Sequence, residues 1–187
     1  MNKIKNYLQK IYRLSLSFKK QEEIVWEELK KLHSDAEWNS GIYEKEKCIA
    51  TNFEISNGKG KAFQYMIYDN SFHCRVKILE EFPSDLTTDL FILASHFNNL
   101  LNNGIVAINV NNLYVEYHQK SHLLIPLLYK VEIYDQLNQH FNTSKDIYYA
   151  FQRLVDEQEA PAIIFADLLK AKAKARKIQN EISHNKT

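Results

Sequence analysis

The stretch Ser84–Tyr117, SDLTTDLFILASHFNNLLNNGIVAINVNNLYVEY, admits few folds. Leu86, Leu90, Leu93, Phe97, Leu100 and Leu101 recur at three- and four-residue steps, which puts them on one face of a helix. Phe91, Ile92 and Ala94 widen the stripe, so the pattern predicts a helix buried over much of its girth. Ser84, after Pro83, is placed to cap its start by side chain, and Gly104 to stop it. From Val106 the period changes to two. Asn tolerates positive φ, so Asn111-Asn112 reads as a two-residue type I′ turn. That register sets Val110 opposite Leu113, Ile108 opposite Val115 and Val106 opposite Tyr117, all on one sheet face.

Three more strands precede the helix. Cys48–Ile55 places Ile49, Phe53 and Ile55 on one face, and Asn57-Gly58-Lys59-Gly60 marks a turn. Lys61–Tyr68 alternates Phe63, Tyr65 and Ile67 with Gln64, Met66 and Tyr68. After a tight turn at Asp69-Asn70, Ser71–Leu79 sets Phe72, Cys74, Val76 and Ile78 against His73, Arg75 and Lys77. This alternation means one buried face and one wet face. His33–Lys47 is polar and reads as a loop. Short connections favour antiparallel neighbours, so the expected fold is α+β: a five-stranded antiparallel sheet, in groups of three and two around a buried helix, with helices at both ends.

The flanks are helical. Ile4, Tyr7, Leu8, Ile11, Tyr12, Leu14 and Phe18 form an amphipathic pattern among Lys3, Lys5, Lys10 and Arg13. Residues 21–33 continue with Ile24, Val25, Leu29 and Leu32, as one long helix or as two joined near Ser17–Lys20. From Leu123 a stripe runs through Leu124, Leu127, Leu128, Val131, Tyr134, Leu137 and Phe141, with Pro126 in a first turn. Thr143 or Ser144 is expected to cap the next helix, whose core positions are Ile147, Tyr148, Phe151, Leu154 and Val155. Pro161 opens a last helix carrying Ile164, Leu168, Ala171, Ala175, Ile178 and Ile182. Its KAKAKARK half has little to bury, so exposure or fraying is expected there, and disorder in the final residues. The organisation expected is a basic amphipathic segment 1–20, an α+β core 21–142, and C-terminal helices with a basic tail 143–187.

Charge is unevenly spread. Residues 1–20 hold six Lys/Arg and no acid, and residues 170–187 hold six with only Glu181. The body between 21 and 169 is acidic, with 12 basic and 22 acidic residues, which argues against nucleic-acid binding through the globular surface. The basic ends suit a membrane, a nucleic acid or the body itself. For the first helix, packing on the body or on a second subunit is favoured over a membrane surface. The unbroken apolar piece Leu14–Phe18 is too short for a signal-peptide core, so a cytoplasmic location is expected, with Cys48 and Cys74 as free thiols.

Chemistry-bearing motifs are absent. The four glycines form no GxGxxG, no GxxxxGK[ST] and no GxSxG. His118 and His122 have the spacing of a helical metal pair, but they straddle a strand end and a loop, without HExxH or CxxC. His73 and Cys74 are strand neighbours and point to opposite faces, and His96 beside Phe97 fits a packed side chain. Glu80-Glu81 and Asp156-Glu157 read as solvated acids. No catalytic residue, cofactor or metal site is assigned.

The meander Cys48–Leu79, the helix Leu90–Gly104 with its Asn-Asn-Leu-Leu-Asn-Asn-Gly ending, and the hairpin Ile105–Tyr117 together carry a resemblance. This order is similar to the YbjN family and to the type III secretion chaperones that share its fold, over roughly residues 20–142. The helices after Phe141 and the basic ends exceed that minimal pattern. The resemblance implies a secretion-chaperone-like sheet with helices on one side, and a non-enzymatic module: a homodimer that binds a protein segment on its sheet or helix surface, or a regulator of unknown ligand. The alternatives are peripheral association with membrane or nucleic acid through the basic termini, and an α+β enzyme of unrecognised type.

Overall fold

Six strands form one antiparallel sheet, where the sequence pattern predicts five. The computed structural model describes residues 2–129 and 131–184. Helices α1 (Asn2–Ser15) and α2 (Phe18–Asp35) lead into β1 (Ser40–Tyr43), β2 (Cys48–Ser56), β3 (Lys59–Tyr68) and β4 (Ser71–Leu79). A single 3₁₀ turn at Ser84–Leu86 precedes α3 (Thr87–Asn98), followed by β5 (Gly104–Asn109) and β6 (Tyr114–His122). The chain closes with α4 (Leu124–Leu128), α5 (Val131–Glu157) and α6 (Pro161–His184). The strand order is β1-β2-β3-β4-β6-β5. The extra strand is β1, inside the segment expected to be a loop. Its four residues, Ser-Gly-Ile-Tyr, pair with Cys48–Thr51 and are too few, and too exposed, to show an alternation.

The pairing follows the turn chemistry. Asp69 and Asn70 both take positive φ (50° and 51°), as a two-residue hairpin turn between β3 and β4 requires. Gly58 at φ 71° serves the β2–β3 turn. Across β3, β4 and β6 the register aligns Phe63 with Val76 and Tyr117, and Tyr65 with Cys74 and Gln119. Ile49, Phe63, Tyr65, Ile67, Phe72, Cys74, Val76 and Ile78 are all buried, as their alternation predicts.

The second hairpin keeps its expected register, Val106 with Tyr117 and Ile108 with Val115, but its turn differs. Pairing ends at Asn109–Tyr114, Val110–Leu113 form the turn, and Leu113 rather than an asparagine takes positive φ, 50°. Asn109 accepts the Asn112 N–H at its Oδ1, which closes the wider loop. Val110 is therefore exposed and does not join the buried face. The central helix is shorter than expected. α3 ends at Asn98, Leu100 is exposed, and Gly104 starts a strand instead of ending a helix. Gly104 is needed there because a Cβ would lie 2.6 Å from Tyr117 Cε2. Ser84 makes no side-chain cap; the Thr87 hydroxyl instead donates to the Ser84 carbonyl. Phe91 and Ile92 face solvent, so the buried stripe is the narrower set Leu90, Leu93, Ala94 and Phe97.

Helix α5 crosses the inner face of the sheet, roughly 40 Å long at 27 residues. It runs unbroken through Thr143 and Ser144, where the sequence suggests a cap and a boundary between core and terminal helices. The Ser144 hydroxyl instead donates to the His140 carbonyl one turn back (2.6 Å), which satisfies it inside a helix. Ile133, Leu137, Ile147, Phe151 and Leu154 face the core, while Leu124, Val131 and Tyr134 of the expected stripe are exposed. Gln158 at φ 52° ends α5, and Pro161 opens α6 as expected. The start of α6 packs on the core through Ile164, Phe165 and Leu168, while residues 171–178 are exposed, with Lys172 paired to Asp146 of α5. The side chains of Ile4 and Ile182, and the final residues 185–187 expected to be disordered, lie outside the described residues. One cluster holds the buried apolar side chains of helices and sheet together.

Candidate functional site

With the helices gathered over one face, strand alternation leaves the other face of the sheet open. It presents Met66 and Tyr68 from β3, His73, Arg75 and Lys77 from β4, and Tyr114, Glu116, His118 and Lys120 from β6. Ile105 of β5 and Tyr43 of β1 extend it to both edges, and both are about half exposed.

The middle of this face is a charged network. Glu116 accepts from Arg75 Nε at 2.7 Å, and Arg75 Nη2 lies 2.6 Å from the same Oε2. His118 Nε2 is 2.8 Å from the other oxygen, an ion pair once the imidazole is protonated. Glu116 is well shielded at 12 % side-chain exposure, so the guanidinium is held in a fixed orientation with its outer edge open to solvent. Beside it the His73 ring stacks on Tyr68 at 3.9 Å between centroids, nearly parallel. Burial, helped by the Lys120 charge, lowers the His73 pKa and favours its neutral form. On the other side Lys77 Nζ sits 4.8 Å from the Tyr114 ring centre, and Asn109 donates to the Tyr114 hydroxyl.

The edges differ. Asn98 of α3 donates to the Val106 carbonyl and accepts its N–H at 3.1 and 2.7 Å. This amide occupies the centre of the β5 edge, the groups that an added strand would need. The opposite edge is β1, only four residues long.

The residues singled out in the sequence are dispersed. His118 and His122 both lie on β6, four positions apart on one face, about 13 Å along the strand and too far to share a metal. His122 instead bonds to Asn70 and to the Leu124 N–H. His73 faces out and Cys74 is buried, as expected for strand neighbours. His96 stacks on Phe165 between α3 and α6. Glu80 pairs with Lys61 and Lys77, and Asp156 accepts from Gln152. Cys48 and Cys74 are free: Cys48 pairs with Met66, Met66 with His73, so the two thiols are two strands apart on opposite faces. Among the described residues no three His, Cys, Asp or Glu side chains converge as a metal site.

Two residues escaped the sequence reading. His33 and His140 are both buried, His33 accepting or donating at Ser40 Oγ (2.9 Å), His140 against Phe63, Tyr65 and Tyr117. Burial lowers their pKa values to about 4 and about 3. The available signal was positional: His33 follows Leu29 by four residues and His140 follows Leu137 by three, both on apolar stripes.

No family model matches the chain, and no curated protein matches it. A similar solved structure is that of YbjN, a proposed transcription regulator from E. coli. It is 12 % identical, covers 64 % of this chain and 85 % of its own, and superposes with a TM-score of 0.46. At that identity and score the likeness shows no family membership and carries no argument. The architecture, an α+β fold with an antiparallel sheet, stands on the chain's own hydrogen bonding, and no described helix is long and apolar enough to cross a membrane.

Proposed function

We propose that this protein is a non-enzymatic binding module that takes a segment of a protein partner on the open face of its sheet. The observation that carries this is the fixed Arg75–Glu116–His118 network flanked by the Tyr68–His73 stack. Arginine and tyrosine are the side chains that most often anchor protein interfaces, and here both are held before any partner arrives. Tyr43, Met66 and Ile105 supply apolar surface around them. Asn98 on the β5 edge opposes strand addition there, so docking by side chains on the face is favoured over extension of the sheet. The reading includes a homodimer, for which light scattering over a range of concentrations is the test; a monomer throughout removes the dimer and leaves the binding face.

Binding is tested on an array of immobilised peptides of varied sequence. The wild type should retain a defined subset, and Tyr68→Ala with Arg75→Glu should lose that subset by tenfold or more, an effect on the order of 1.4 kcal/mol, without change in circular dichroism. A wild type that retains none, or binding indifferent to both replacements, refutes the proposal.

A further inference from the structure

Helix α1 is turned the wrong way for a helix that packs on its own body. Tyr7, Leu8, Ile11 and Leu14 share one face, and Arg13 lies about 200° round from Ile11. It is the Arg13 side that meets the rest of the protein. Arg13 Nη1 donates to the Leu127 carbonyl and Nη2 to Glu28, both at 2.7 Å, and its side chain is only 12 % exposed. Lys10 sits 3.6 Å over the Tyr129 ring, and Gln21 donates to the carbonyls of Leu14 and Leu16, pinning the junction with α2. The apolar face is left outside: Tyr7 is 66 % exposed, Leu8 59 % and Tyr12 63 %. Ile125 and Tyr129, at the α4 segment that α1 packs on, continue the exposed apolar surface. The expectation that this helix covers its stripe on the body therefore fails.

What covers the stripe is decided by charge. Residues 1–20 carry six basic side chains and no acid, and Lys5, Lys19 and Lys20 are exposed. A symmetric contact with a second copy would set this cluster against itself, like charge on like. A bilayer with anionic headgroups accepts both features at once: the apolar ridge sinks to the acyl boundary, the lysines reach the headgroups, and Tyr7 and Tyr12 sit at the interface. We infer that α1, with the adjoining surface of α4, docks the protein peripherally on an anionic lipid surface. This site is separate from the open sheet face and stands or falls independently of it.

The test is co-sedimentation of the full chain with phosphatidylcholine vesicles, with and without about 30 % phosphatidylglycerol, at about 50 and 500 mM NaCl. Retention on the anionic vesicles is expected, at least tenfold weaker on neutral ones and at high salt. Ile11→Glu, at a side chain 47 % exposed and so compatible with folding, should abolish it. Replacing Lys5, Lys19 and Lys20 with Ala should weaken it about fivefold per lysine. The Tyr68→Ala/Arg75→Glu protein should bind vesicles like the wild type. No retention on anionic vesicles overturns the inference, and so does retention unaffected by Ile11→Glu. A concentration-dependent dimer that Ile11→Glu dissociates overturns it in favour of a second copy.

Discussion

Mild acid should destabilise this protein before its carboxylates titrate, and two buried histidines, His140 and His33, are the reason. The His140 ring is fully buried, stacked on Tyr117 at 4.9 Å and edge-on to Phe63 and Tyr65. Burial is the leading cause that pushes its pKa down to about 3, and neither ring nitrogen has a hydrogen-bond partner among the described residues to hold a proton. In the unfolded chain the imidazole titrates near 6.5. Between those values the unfolded state binds the proton and the native state does not, so native stability is complete above about pH 6.5 and falls as the pH drops toward about 3. At about pH 5.5 the unfolded imidazole is protonated roughly ten to one, which removes ~1.4 kcal/mol. His33, lowered to about 4 by burial, acts in the same direction and, at about pH 5.5, by nearly the same amount. Urea unfolding followed by the emission of Trp26 and Trp38 at about pH 7.5 and 5.5 measures the difference. His140→Leu should flatten the dependence by about one proton. An unfolding free energy equal at the two pH values, or a slope unchanged in His140→Leu, would refute the reasoning.

Other perturbations have outcomes as definite. Gly104→Ala drives a Cβ to 2.6 Å from the buried Tyr117 ring and should cost about 1–3 kcal/mol by thermal melting, whereas Gly60→Ala, whose Cβ meets only Phe53 O at 4.0 Å, escapes that clash. Asn98→Ala removes both bonds to Val106, so it should lose about 1–2 kcal/mol and gain concentration-dependent association through the uncovered β5 edge, read by light scattering. Thiol titration of the native protein should find at most one, slowly reacting group, since Cys74 is buried and its pKa raised by that burial, while Cys48 is only partly buried, its pKa raised by burial as well; two should react in denaturant.

Much of the fold was legible because local chemistry decides it. Period-two alternation named the buried face of β3 and β4 residue by residue, Asp69-Asn70 specified a turn that needs two positive φ values, and Pro161 marked the start of α6. The misreadings share a physical cause: a residue's local preference was overruled by what packs against it. Ser144 can cap a helix, but α5 continues because its next turns bury Ile147 and Phe151. Gly104 can end a helix, but it sits in β5 because Tyr117 occupies the space of a side chain. β1 has no pattern of its own and exists because β2 offers it an edge. The open face was half legible, since alternation assigns His73, Arg75 and Lys77 to the wet side. That Arg75 meets Glu116, forty-one residues away, depends on β6 lying beside β4, which no local signal encodes. The same holds for α1. The sequence determines that the helix is amphipathic and basic, whereas only the tertiary structure decides which side faces out. Arg13 at Leu127 and Glu28, Lys10 over Tyr129 and Gln21 at the junction fix that choice, through contacts on other helices.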